Sequence, residues 1–131
     1  MKKLEELKSH TAEIVNLNHA TALLNWDQQT NMPPGGAPAR ANQLATLSKL
    51  SHQMFVSDEM GELIEAAARD VAQMDPDSDD ASLVRVARRD YKQQRKLPSE
   101  FVAEFSRVTA LAHGTWVKAR ADDDFEYFRP T

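Results

Sequence analysis

Residues 25–36 read NWDQQTNMPPGG. Proline removes a backbone donor and glycine favours open backbone, so Pro33-Pro34-Gly35-Gly36 predicts a forced break between two helices. Upstream, Leu4, Leu7, Thr11, Ile14, Leu17 or Asn18, and Thr21 recur at spacings of three and four. They form one face of an amphipathic helix ending near residue 27. Downstream, a second helix starts near Pro38, a good first-turn residue, and carries Leu44, Leu47, Ser51, Met54 and Phe55. The break predicts a loop over 28–37. Asp27 sits oddly before it, because the negative end of the helix dipole repels a carboxylate.

The same periodicity continues along the chain. Ser57 predicts an N-cap, with Asp58 and Glu59 in the first turn, for a helix bearing Met60, Leu63, Ile64, Ala67, Val71 and Met74. Residues 75–80, DPDSDD, predict a linker. Leu83, Val84, Ala87, Tyr91 and Gln94 mark a fourth helix that ends before Leu97-Pro98. A fifth opens on Pro98 and carries Phe101, Phe105, Val108, Ala112, Trp116 and Ala119. Asp124 predicts the cap of a last short turn containing Phe125 and Phe128. Alanine (18) and leucine (12) outnumber valine plus isoleucine (10), which favours helix over strand. The expectation is an all-α bundle of about five helices forming one domain over 1–131.

Two features sit badly with a self-contained bundle. The stripe of the first helix is interrupted by His10, Asn18 and Thr21, and three aromatics stand among the last seven residues, FEYFRPT. Both predict surface made to meet further polypeptide.

Composition removes several function classes. A net charge of −4 argues against non-specific nucleic-acid binding. Arg85, Arg88, Arg89, Lys92, Arg95 and Lys96, interrupted by Asp90, read as a solvated helix face. With no cysteine there is no disulfide, thiolate metal site or cysteine nucleophile. The charged start MKKLEELKSH and the lack of a long apolar run predict a cytoplasmic protein with no membrane partner. His10, His19, His52 and His113 include no pair at zinc-binding helical spacing. His52 predicts a half-buried hydrogen-bonding residue. Asp75, Asp77 and Asp79 mimic the start of a calcium loop, but Asp80 replaces its glycine and Val86 its terminal glutamate. Nucleophile elbows, phosphate loops and dinucleotide fingerprints are absent, so the residues alone supply no catalytic centre.

Residues 20–55 resemble the N-terminal part of the carboxypeptidase Taq family of metallocarboxypeptidases. The resemblance rests on Trp26-Asp27-Gln28, Thr30, Met32-Pro33, Gly35-Gly36, Arg40, Gln43-Leu44-Ala45-Thr46-Leu47 and His52. A second patch from Lys96-Leu97-Pro98 through Trp116 to Asp124-Phe125 and Phe128 is similar to the family's next segment. Gln29 stands where the family usually has glutamate.

The resemblance implies the N-terminal helical portion of a fold like neurolysin and angiotensin-converting enzyme. It implies a zinc-dependent exopeptidase, commonly dimeric, that releases C-terminal amino acids from peptides. The implied zinc ligands, a His-Glu-x-x-His helix and a later glutamate, have no counterpart in these residues. The chain is therefore expected to bind no metal itself. Its expected partner is a C-terminal catalytic portion of the same polypeptide, which would hold the zinc and receive the peptide substrate. Trp26, Asp27, Gln28, Thr30, Met32, Arg40 and His52 become candidates for a groove wall or its bracing. The alternative is a stand-alone helical interaction module, which predicts a monomer with covered apolar faces.

Overall fold

The computed structural model describes all residues 1–131. Six helices follow in order: α1 (Lys2–Thr30), α2 (Ala37–Phe55), α3 (Asp58–Asp70), α4 (Asp79–Gln94), α5 (Ser99–Ala121) and α6 (Phe125–Phe128). There is no strand, and no helix is long and apolar enough to cross a membrane.

Most helix ends follow from local chemistry. Ser57 Oγ accepts the Met60 N–H at 3.1 Å and so caps α3. Pro98 opens α5, and Asp124 accepts the Tyr127 N–H at 3.2 Å to cap α6. Asp123 at the end of α5 has φ 52°, the left-handed conformation. This geometry lets the Asp124 N–H reach the Ala119 carbonyl at 2.9 Å and close the helix.

Three boundaries differ from expectation. The 28–37 loop is largely helical: α1 runs on to Thr30, and Pro34–Gly36 form a 3-10 turn leading straight into α2. Proline is tolerated there because the first N–H groups of a helix lack intrahelical partners anyway. The 75–80 linker is displaced towards the N-terminus. α3 ends at Asp70, while Ser78 Oγ accepts the Ala81 N–H at 3.3 Å and places Asp79 and Asp80 in the first turn of α4.

The bundle has two lobes sharing α1. In lobe one, the first half of α1 packs with α3 and α4 around Leu4, Leu7, Ile14, Met60, Leu63, Ile64, Ala67, Val71 and Val84, all buried. Each fully buried Leu, Ile or Met contributes about 1.5–3 kcal/mol. α3 and α4 approach closely because residue 61 is glycine: a Cβ there would run into the Tyr91 hydroxyl, which donates to the Ser57 carbonyl at 3.1 Å. Asp70 accepts the N–H groups of Lys3 and Leu4, both at 3.1 Å. The terminal ammonium, with the Leu4 N–H, holds its carboxyl below the ordinary value. The basic residues of α4 lie on a solvated face as expected, and Arg88 pairs with Glu65 and Arg95 with Asp58 across to α3.

In lobe two, α2 packs on α5 and on the second half of α1. Its buried apolar residues are small but for Leu44: Ala41, Leu44 and Ala110 form a cluster with Leu24 alongside, and Ala45 and Ala119 are also buried. α5 is turned so that Ala110 faces α2, while Phe101, Phe105, Val108, Trp116 and Val117 are exposed. The expected inward stripe of α5 is therefore largely an outward one. Ala119 alone of those six residues is buried. Small residues let two helix backbones approach, and that contact takes precedence over burial of the larger side chains.

Candidate functional site

The turn quoted at the outset is held by a few polar side chains that cross between helices. α1 ends at Thr30 with no basic residue in its last turn, so its final carbonyls and Asp27 face an uncompensated negative dipole end. Arg40, on the first turns of α2, supplies the missing cation. Its Nη1 donates to the Leu24 carbonyl at 2.7 Å, its Nη2 pairs with Asp27 Oδ2 at 2.8 Å, and its Nε donates to Gln43 Oε1 at 3.1 Å. The Arg40 side chain is 14% exposed and that of Asp27 36%, so this is a half-buried ion pair. The carboxylate that looked misplaced is thus an anchor for the next helix. The double proline and the 3-10 turn bring Arg40 back over the end of α1 within a few residues.

Gln28 fixes the same end to α5: its Nε2 donates to the Ala110 carbonyl at 3.0 Å. Met32 is half-buried and its side chain lies against Gly36, inside the turn. Thr30 is exposed and bonds back to the Trp26 carbonyl at 2.8 Å. Trp26 projects from the pinned helix end, 59% exposed, near Leu23 at 64%. Of the seven candidates, Asp27, Gln28 and Arg40 converge on this junction. Met32 packs in the turn, Trp26 and Thr30 face outward, and His52 lies apart from them.

His52 is 7% exposed, more deeply buried than expected, and both ring nitrogens are engaged. Nε2 lies 3.0 Å from the Gln94 carbonyl oxygen and Nδ1 lies 2.7 Å from Ser99 Oγ. A carbonyl can only accept, so Nε2 carries a proton. The Ser99 hydroxyl donates to a neutral Nδ1 and accepts from a protonated one, so both contacts survive in either charge state. His52 therefore ties the last turn of α2 to the end of α4 and the start of α5. Next to it, Ser51 donates to Asn18 at 2.7 Å, and one turn earlier Ser48 meets Ser106 at 3.1 Å. Sequence inspection missed this series, although Ser48, Ser51 and His52 fall at helical spacing along one side of α2.

These residues do not build a zinc site. No three His, Asp or Glu side chains converge as ligands, and both nitrogens of the one buried histidine are already bonded. The DPDSDD stretch is a capped turn, with Asp75 Oδ1 accepting the Asp77 N–H at 2.9 Å. What the junction can do is hold the end of α1 against α2 and α5.

Both the sequence and the fold match known proteins. Residues 6–131 match the family described as carboxypeptidase Taq (M32) metallopeptidase. The chain is 35% identical over 127 residues to thermostable carboxypeptidase 1 of Thermus thermophilus, spanning 97% of this chain and 24% of that protein. It is 32% identical over 127 residues to the protein of the same name from Pyrococcus furiosus, spanning 97% and 25%. A solved structure described as the BsuCP crystal structure superposes with a TM-score of 0.91 at 26% identity, over 99% of this chain and 26% of that one. The chain thus spans about a quarter of the length of the relatives it matches.

Proposed function

This chain belongs to the carboxypeptidase Taq (M32) metallopeptidase family, and from that membership we propose that it is the helical N-terminal wall of a zinc carboxypeptidase's substrate groove. The zinc ligands and the water-activating glutamate lie in polypeptide outside these residues. The substrates are peptides, from which the whole enzyme releases C-terminal amino acids. The proposed setting is the cytoplasm, with the whole enzyme forming a homodimer.

One observation carries this reading. Large apolar side chains face outward along α5 and at the end of α1. A stand-alone interaction module predicts covered apolar faces, and these are uncovered. Within the wall, Arg40, Asp27 and Gln28 are bracing residues that hold Trp26 in place. Trp26, exposed at this end together with Leu23, is the aromatic side chain there to meet a peptide. A wall of this kind acts by limiting which peptides reach the metal and by keeping water from the reacting bond.

The experiment is direct. The purified 131-residue chain, supplied with zinc and an N-blocked peptide, is expected to release no amino acid and to retain no stoichiometric zinc after dialysis. Turnover or tight stoichiometric zinc in this chain alone overturns the proposal.

A further inference from the structure

The outward stripe of α5 is ordered. Phe101, Phe105, Val108, Ala112 and Trp116 follow at spacings of four, three, four and four, which keeps them on one narrow line about 22 Å long. Ala110, clustered with Ala41 and Leu44 of α2, lies on the opposite side of the helix. All of the line but the half-buried Ala112 is exposed. Of its aromatics, Trp116 meets a ring from another element, Phe128 of α6, while Phe101 and Phe105 stack on each other. The polar groups beside the line are already engaged. Glu100 pairs with Lys49, Glu104 pairs with Arg107, and the Thr109 hydroxyl donates to the Phe105 carbonyl at 2.8 Å.

We propose that this line is a docking seat for polypeptide of the same chain that lies outside these residues, shaped to take one apolar helix face. The spacing is that of a coiled-coil seam, in which a second helix lies nearly parallel and sets its own apolar side chains between these. Ala112, small and within the line, lets that helix approach closely. With the flanking charges already paired, a charged segment would lose its hydration on this seat and gain no partner. Area decides against a second copy of the chain as the occupant. Partly exposed aromatics in this number carry roughly 300–500 Å² of apolar surface, whereas a stable complex of separate chains buries about 800 Å² per partner. A tethered segment needs less, because the tether holds it at a high effective concentration. The relatives supply the length, since this chain spans 24% and 25% of the two thermostable carboxypeptidases. On the reading that the chain is one part of a larger enzyme, on which this seat depends, two exposed surfaces part company. The α5 line is covered in the whole enzyme, and the end of α1 at Leu23 and Trp26 stays open.

Thiol labelling tests it, because the chain has no cysteine of its own. Phe105 and Leu23 are 62% and 64% exposed, so Phe105→Cys and Leu23→Cys in the free chain are expected to react with iodoacetamide at rates within about threefold of each other. Each variant is then measured in a whole enzyme, the Thermus thermophilus carboxypeptidase carrying this chain in place of its own matching segment, with each position read by peptide mass spectrometry. There Phe105→Cys is expected to react at least about tenfold slower than in the free chain, at any protein concentration, while Leu23→Cys keeps its rate within about threefold. An unchanged rate at Phe105→Cys overturns the seat and leaves the groove-wall reading standing. Slowing at Leu23→Cys instead overturns the open end of α1 on which the groove-wall reading relies, so the two failures are distinct. Sedimentation of the free chain at about 10 μM is expected to show a monomer. A dimer that protects Phe105→Cys makes a second copy the occupant, and overturns the proposal even where the graft does not fold.

Discussion

Lobe one and lobe two are built from the same raw material and end up with opposite economies of surface. In lobe one the largest apolar residues of α1 and α3 point inward, and nine residues form one buried cluster. In lobe two the interior belongs to four alanines (Ala41, Ala45, Ala110 and Ala119) and one leucine, while the phenylalanines of α5 stand in the open. The difference shows that amphipathic spacing locates a stripe without saying which surface covers it. α3 finds its cover within the chain. The outer stripe of α5 finds little there: Trp116 meets Phe128 of α6 edge-on at 5.4 Å, while Phe101 and Phe105 pair with each other, ring centroids 6.3 Å apart.

The contrast can be broken most forcefully in lobe one. Leu7→Ala empties a position with 0% exposure, and a deletion of that kind costs about 2–5 kcal/mol. Urea unfolding is expected to show a loss of that size; less than about 1 kcal/mol would mean that the cluster is not the seat of stability. A smaller effect is expected at the lobe-two junction. Arg40→Ala removes bonds to Leu24 and Asp27 and leaves a carboxylate on the negative end of α1, at a cost of about 1.5–3 kcal/mol. Asp27→Ala should cost less, since Arg40 keeps the Leu24 carbonyl and an unfavourable dipole contact disappears. Thermal melts of both variants and of the double variant read the order, and equal losses would contradict the clamp. The smallest effect belongs to the exposed stripe. Phe105→Ser, at a side chain 62% exposed, should alter stability by no more than about 0.5 kcal/mol while lowering hydrophobic dye binding. A loss above about 2 kcal/mol there would show that Phe105 is packed after all.

The helices themselves were readable from the sequence because their signals are local. Ser57, Pro98 and Asp124 mark the ends they were expected to mark. Ser78 was missed although Ser78-Asp79-Asp80 repeats the pattern of Ser57-Asp58-Glu59, because a run of aspartates looks like a linker. The orientation of α5 was not readable, since it depends on the close fit of Ala110 against α2. The candidate junction was half readable. Its residues could be named, but Asp27 could not be matched to Arg40 until the 3-10 turn brought them together across 13 positions. His52 was assigned the right kind of role, and its partners lie 42 and 47 residues away, beyond the reach of any local pattern.

Gly61 carries no charge, binds nothing and donates nothing beyond its backbone, yet the phenol of Tyr91 occupies the volume that any side chain there would need. A saturation screen of this chain would therefore flag position 61 as sharply as it flags Arg40, for the contrary reason. One position is intolerant because of what it holds, the other because of what it leaves vacant, so intolerance alone would not distinguish a working residue from a spacer.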